Sequence, residues 1–378
     1  MARPEMTPLS TLLNRAIEAA HPYSASLELT YQCNLACSFC YNPIQRKNQG
    51  RKDPPPPPAG PPLTYDEIIH LLDQLKEMGI LYLTLTGGEA FLHPRFWDIA
   101  REAKNREFAI RIFTNGYAIT ESVARRLRDL SPFCIEMSLH GATAETAEKL
   151  NQVKGSHARQ MAALENLHRE GLRVYLKVVV TKIVEDQLFE LKAIGDRFGY
   201  PVYFDPILTL SDDGQKYPLD LMASDQALEN LYRQEGLNIG NSPFEREPGE
   251  YNCTVGTGMM HITPYGDVQP CTQWKQTVGN IRKTPLREIW ENSELLQEVR
   301  RINRAVPGKI RESGEDHAFC ASCPGLSKLS SGDPLKIDDQ YLRVARIRRR
   351  VSEAEATGAI GQRQGNLVSI RSQFTNQP

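Results

Sequence analysis

Six short β-rich runs separated by amphipathic helical patterns constrain this chain more than any other feature. The runs are Leu27–Thr30, Leu81–Leu85, Ile110–Phe113, Ile135–Ser138, Val174–Val180 and Val202–Phe204. Between the first two, Tyr65–Lys76 places Ile68, Leu71, Leu72 and Leu75 on one helical face, with Thr64 as its N-cap. A repeated strand–helix unit predicts the α/β class: a parallel sheet with outer helices and ligands at the carboxyl ends of the strands. The Cys33 loop, Gly87-Gly88-Glu89, Thr114-Asn115 and Ser138 each follow or end one of these strands.

The loop after the first strand holds Cys33, Cys37 and Cys40 at C-x3-C-x2-C spacing, with no fourth ligand close by. Three thiolates around a four-iron cluster leave one iron open to a non-protein ligand. A structural zinc site is normally closed by four protein ligands, so the zinc alternative must import a distant residue such as His21.

This pattern resembles the radical S-adenosylmethionine (SAM) superfamily, whose signature is CxxxCxxC with an aromatic residue before the last cysteine; Phe39 fills that place. Gly87-Gly88-Glu89-Ala90, Thr114-Asn115-Gly116 and Ser138-Leu139-His140-Gly141 match further family stretches in order and spacing. Ala90 departs mildly from the usual G-G-E-P. The resemblance implies a partial (β/α)6 barrel, a [4Fe-4S] cluster held by Cys33, Cys37 and Cys40, and S-adenosylmethionine bound at its open iron. On that reading Glu89 accepts from the amino group, and Gly87 and Gly88 admit close backbone approach. Ser138 meets a ribose or carboxylate oxygen, Phe39 and Tyr41 lie against adenine, and Lys177 meets the carboxylate. Lys177 also reads as a snorkelling strand residue, and Thr114-Asn115-Gly116 as a tight turn. One-electron cleavage of S-adenosylmethionine would give a 5′-deoxyadenosyl radical that removes a substrate hydrogen; the cofactor carries that step.

A second cysteine set follows: Cys253 and Cys271 in the form C-x12-G-x4-C, then Cys320 and Cys323 as C-x2-C. Thr263–Val268 reads as a hairpin turn, and a helix is expected from about Pro285 to Arg301. C-x2-C pairs alone favour a zinc ribbon. After a radical SAM core the layout instead resembles a SPASM or twitch extension, which implies one auxiliary [4Fe-4S] cluster on Cys253, Cys271, Cys320 and Cys323. The implied fold class is therefore α/β, a partial (β/α)6 barrel with a C-terminal β-hairpin plus helix extension. The expected divisions are an N-terminal segment 1–24, a core 25–235 with a proline-rich loop at 53–62, an auxiliary domain 236–335, and a C-terminal helix and disordered tail 336–378.

Several residues take plainer readings. Cys134 is a core residue, His140 a hydrogen-bonded structural group, and Arg343, Arg346, Arg348, Arg349 and Arg350 a solvated helical face. Asp205, Asp212 and Asp213 read as acids or bases facing substrate, or as turn residues. Trp274 walls the auxiliary cluster or fills core.

With a formal net charge of −1, the chain presents no general field for nucleic acid or an anionic membrane. No sustained apolar stretch resembles a signal peptide or membrane span, so a cytoplasmic location is expected. Two enzymatic readings follow from the resemblance: oxidative crosslinking or other modification of a ribosomally made peptide, and dehydrogenation of an aminocyclitol or sugar-type small molecule. A non-catalytic iron–sulfur or zinc sensor is the third, and it has no need of Glu89 and Ser138. A flavodoxin- or ferredoxin-type donor is implied. About thirty residues before Cys33 are too few for an independent peptide-recognition domain, so a peptide substrate implies a separate recognition protein.

Overall fold

The computed structural model describes residues 7–42, 60–233, 237, 243, 246–314 and 316–357. Most of the proline-rich tract and the tail from 358 lie outside them. The strands are β1 (Ser24–Glu28), β2 (Tyr82–Thr86), β3 (Ala109–Thr114), β4 (Cys134–Ser138), β5 (Val174–Val179), β6 (Val202–Asp205), β7 (Met259–Ile262), β8 (Asp267–Gln269) and β9 (Gly279–Asn280). Among the described residues they form one sheet in the order β6-β5-β4-β3-β2-β1-β7-β8-β9. β1 to β6 are parallel and sequential, the open six-unit β/α arrangement expected from the sequence.

The alternation within each strand decides which side carries chemistry. Ala25, Leu27, Leu83, Leu85, Ile110, Ile112, Ile135, Met137, Leu176 and Val178 are almost completely buried on one face. The helix Tyr65–Glu77 covers part of that face with Ile68, Leu71, Leu72 and Leu75, held by a Thr64–Glu67 capping box. Each such leucine or isoleucine contributes about 1.5–3 kcal/mol of burial, and the N-cap about 1 kcal/mol. The opposite face presents Glu28, Arg111, Phe113, Glu136, Ser138, Lys177, Tyr203 and Asp205, which is the composition of an open lumen rather than a core.

The expected hairpin is present as β7 and β8, and β7 also pairs in parallel with β1, Ser26 opposite His261, so the auxiliary region extends the core sheet. The expected single helix from Pro285 is two, Leu286–Asn292 and Glu294–Glu312, because the Ser293 hydroxyl breaks the run and caps the second. The C-terminal arginines are also not simply solvated. Arg348 is 3% exposed and donates to the Phe319 carbonyl, while Arg343, Arg349 and Arg350 pair with Asp225, Asp316 and Glu229.

Candidate iron–sulfur and S-adenosylmethionine sites

Cys33, Cys37 and Cys40 are half-buried in the loop after β1. Burial pushes the Cys37 thiol well up, and the nearby Cys40 and Cys33 push it further. The Leu35 N–H at 3.4 Å and the Asn115 Nδ2 at 3.5 Å donate to the Cys33 sulfur, and His140 Nε2 lies 4.0 Å from that of Cys37. Hydrogen bonds donated to sulfur suit ligating thiolates. Among the described residues no three His, Cys, Asp or Glu side chains are arranged around a single ion position.

The Gly87-Gly88-Glu89 segment is welded to that cysteine loop. Gly88 and Glu89 donate N–H to Thr30 and Gln32 carbonyls at 2.8 Å. A Cβ on Gly87 would lie 2.4 Å from the Thr30 oxygen, and one on Gly88 2.3 Å from the Gln32 oxygen. In this structure the two glycines therefore admit the chain's own backbone. Glu89, 1% exposed, accepts from the Thr114 hydroxyl (2.9 Å) and the Asn115 N–H (2.8 Å). Burial drives its carboxyl up to about 7 against the lowering effect of its hydrogen bonds to Asn115, Thr114 and Phe91. Thr114-Asn115-Gly116 turns beside the cysteine loop: Gly116 has φ +79°, and Asn115 Nδ2 reaches Asn34 Oδ1 as well as Cys33.

The other candidates divide. Ser138 and Lys177 are register partners on the lumen face, but the Lys177 ammonium already meets Glu136 at 3.2 Å and lies over the Tyr203 ring. Phe39 packs towards His140. Tyr41 is set differently, with the Lys275 ammonium 5.1 Å from its ring centroid. Ser211 and Asp212 donate to the Tyr41 carbonyl, and the Tyr217 hydroxyl donates to that of Cys40. Asp205 ends β6 on the lumen face, where enclosure by the surrounding protein raises its carboxyl, partly offset by the Ile207 N–H and by Lys177.

The second set is positioned by buried amides and a close backbone approach. Asn303, fully buried, accepts the Cys253 N–H and donates to the Cys253 and Val255 carbonyls. Asn252 Nδ2 ties that loop to the Ser322 carbonyl, and a Cβ on Gly325 would lie 2.9 Å from the Gln273 carbonyl group. These ties bring the Cys253, Cys271 and Cys323 segments together, and the Cys323 thiol is pushed up by burial and by the charges of Cys271 and Cys253. Cys320, the fourth thiol of the expected set, has different neighbours. It is 1% exposed among Val306, Ile310 and Ala345, its thiol donates to the Ala321 carbonyl, and the charges that act on it are those of Arg348 and Asp316. Trp274 is buried with Val255 and Val299 beside Cys271.

A polar seam links β1 and β7 with the segments after β6 and β8, and it includes residues the sequence reading missed. Glu28 and His261 meet at 3.2 Å, and Lys275 meets Asp212 at 3.1 Å. Burial raises the Glu28 carboxyl, yet the hydrogen bond and charge of His261 with the charge of Lys275 outweigh it and leave it low. Burial takes Asp212 up to about 6, with Lys275 pulling the other way. The available signal was Glu28 itself, a charge on the inward period of a strand otherwise fit for a core.

Fold and thiols together define an iron–sulfur protein on an open α/β barrel. The sequence pattern of the radical SAM superfamily matches residues 27–191, and that of SPASM, an iron–sulfur cluster-binding domain, matches 253–324. The chain belongs to the radical SAM superfamily and carries a SPASM-type domain; it is an enzyme whose cofactors are a SAM-binding cluster, S-adenosylmethionine and an auxiliary cluster. It is 27% identical over 342 residues to an AdoMet-dependent heme synthase of Methanosarcina barkeri, covering 83% of this chain and 95% of that protein. It is 29% identical over 334 residues to the mycofactocin maturase MftC of Mycolicibacterium smegmatis, covering 83% and 81%. Streptococcus suis SuiB bound to its precursor peptide SuiA shares the fold at TM-score 0.60 and 18% identity, covering 90% of this chain and 82% of that one. No helix among the described residues is long and apolar enough to cross a membrane.

Proposed function

We propose that this enzyme oxidatively modifies a peptide. The likeness to the mycofactocin maturase across 83% of the chain is the observation that carries the reading. Cys33, Cys37 and Cys40 hold the SAM-binding cluster, and Cys253, Cys271 and Cys323 the auxiliary one. Bound together, the first cluster and S-adenosylmethionine supply a 5′-deoxyadenosyl radical that takes a hydrogen atom from substrate. Glu89 holds Thr114 and Asn115 in place beside that site. The lumen side chains Phe113, Glu136, Lys177, Tyr203 and Asp205 receive and orient the peptide, and the auxiliary site accepts the electron that the substrate gives up. A flavodoxin or ferredoxin delivers the first electron, and a separate recognition protein presents the peptide.

The likeness to the heme synthase, which spans 95% of that protein, favours a second reading, a small-molecule substrate. Anaerobic reconstitution with S-adenosylmethionine, dithionite and a short peptide encoded beside this chain separates the two. Formation of 5′-deoxyadenosine with a matching mass change in the peptide is expected. An unchanged peptide, with turnover on a porphyrin-type or sugar-type small molecule, would overturn the peptide reading.

A further inference from the structure

Gln160 fixes the tautomer of a histidine beside the first cysteine loop. Its Nε2 lies 3.0 Å from the Asn115 carbonyl oxygen and 3.1 Å from that of Ser138. Both oxygens only accept, so the amide nitrogen must face them, and Gln160 Oε1 is left buried without a partner. The same nitrogen lies 3.3 Å from His140 Nδ1. A hydrogen on Nδ1 would point at a donor, so Nδ1 is the bare acceptor nitrogen and the neutral ring carries its hydrogen on Nε2. Nε2 is 4.0 Å from Cys37 Sγ. The ring is 6% exposed and packs against Phe39, so its direction is set from both sides.

We propose that His140 is a positioning residue of the SAM-binding cluster: its Nε2–H donates to the Cys37 sulfur and raises the cluster's reduction potential, with Gln160 holding the ring in the donating tautomer. The inference rests on the reading of Cys37 as a cluster ligand. Reduction adds negative charge to the cluster, and a hydrogen bond to a ligand sulfur stabilises the more negative state. The donors on Cys33 act in the same sense, which makes His140 the counterpart at the second thiolate.

The test is an anaerobic potentiometric titration of the reconstituted full chain. It follows the electron paramagnetic resonance signal that changes on adding S-adenosylmethionine, with histidine labelled by nitrogen-15. A nitrogen hyperfine coupling in the unsubstituted protein is expected. A shift of the midpoint to more negative potential is expected in His140→Leu, with recovery in His140→Gln, whose amide keeps an N–H at similar reach. No coupling in the unsubstituted protein would overturn the proposal, even if the leucine variant fails to fold. An unshifted midpoint in His140→Leu would do the same. A chain that shows no SAM-responsive signal at all would instead refute the assignment of Cys33, Cys37 and Cys40.

Discussion

Glu89 Oε2 accepts the backbone N–H of Asn115 at 2.8 Å, and through that bond the end of β2 fixes the loop that follows β3. The sequence pattern points this glutamate at the cofactor's amino group, yet Thr114, Asn115 and Phe91 already supply three donors to it. Glu89→Gln keeps the size and replaces one acceptor oxygen with a donor, leaving a buried N–H or hydroxyl unpaired at about 1–3 kcal/mol. A lowered melting temperature and S-adenosylmethionine binding weakened about tenfold or more are expected. Calorimetric titration checks the binding. Unchanged affinity would show that the Asn115 loop does not need Glu89.

Replacing Cys33, Cys37 and Cys40 together by alanine should abolish 5′-deoxyadenosine formation and remove about four irons per chain. The auxiliary cysteines belong to other segments, tied by Asn303 and Asn252, so their iron should remain. Iron analysis and chromatography of the nucleoside product check both halves. Retained cleavage would remove these thiols from the SAM site.

Much of the core was legible because its signals are local. Strand alternation placed β2 to β6 within a residue or two, and the Thr64–Glu67 capping box started its helix where the sequence indicated. What escaped depends on distant pairing. Glu28 and His261 are 233 residues apart, and only the parallel β1–β7 contact makes them neighbours. The same contact merges the hairpin into the core sheet, which no turn signal announces. Gly87 and Gly88 were recognised as close-approach positions, but the partner they admit, the Thr30–Gln32 backbone, is a tertiary fact.

Glu67 and Arg282 clamp the barrel to the segment after β9, with Arg282 Nε 2.6 Å and Nη2 2.8 Å from the carboxylate oxygens. The Arg282 hydrogen bond holds the Glu67 carboxyl down at about 2, aided by the Thr64 N–H. A depressed folded-state value means the stabilisation is present above the ordinary value of 4.5 and is lost as pH falls towards 2. The pair is partly exposed, so the expected loss is about 0.5–1 kcal/mol. Glu67→Gln preserves the capping box and should be less stable by that amount at pH 7, with the difference narrowing through pH 3 and closing only towards pH 2. Urea unfolding at pH 7 and pH 2 checks this; a gap that persists undiminished at pH 2 would assign the effect to the cap.

The last prediction concerns which thiols hold the auxiliary cluster. Cys323 lies on a loop pressed against Gln273 and Trp274 and responds to the charge of Cys271 and Cys253. Cys320, three residues earlier, is turned into the apolar cluster of Val306, Ile310 and Ala345, under Arg348. Cys253→Ala, Cys271→Ala and Cys323→Ala should each lose the auxiliary iron while keeping 5′-deoxyadenosine formation. Cys320→Ala should keep that iron and cost only about 1 kcal/mol, the scale of one deleted buried group. Asn303→Leu should resemble the first three, because it leaves the Cys253 N–H and two carbonyls unpaired in a buried loop. Iron content and the spectrum of each variant decide the matter. If Cys320→Ala loses its iron as completely as Cys323→Ala, the Cys320 thiol swings out of the core to close the site, and the cluster has four cysteine ligands instead of three.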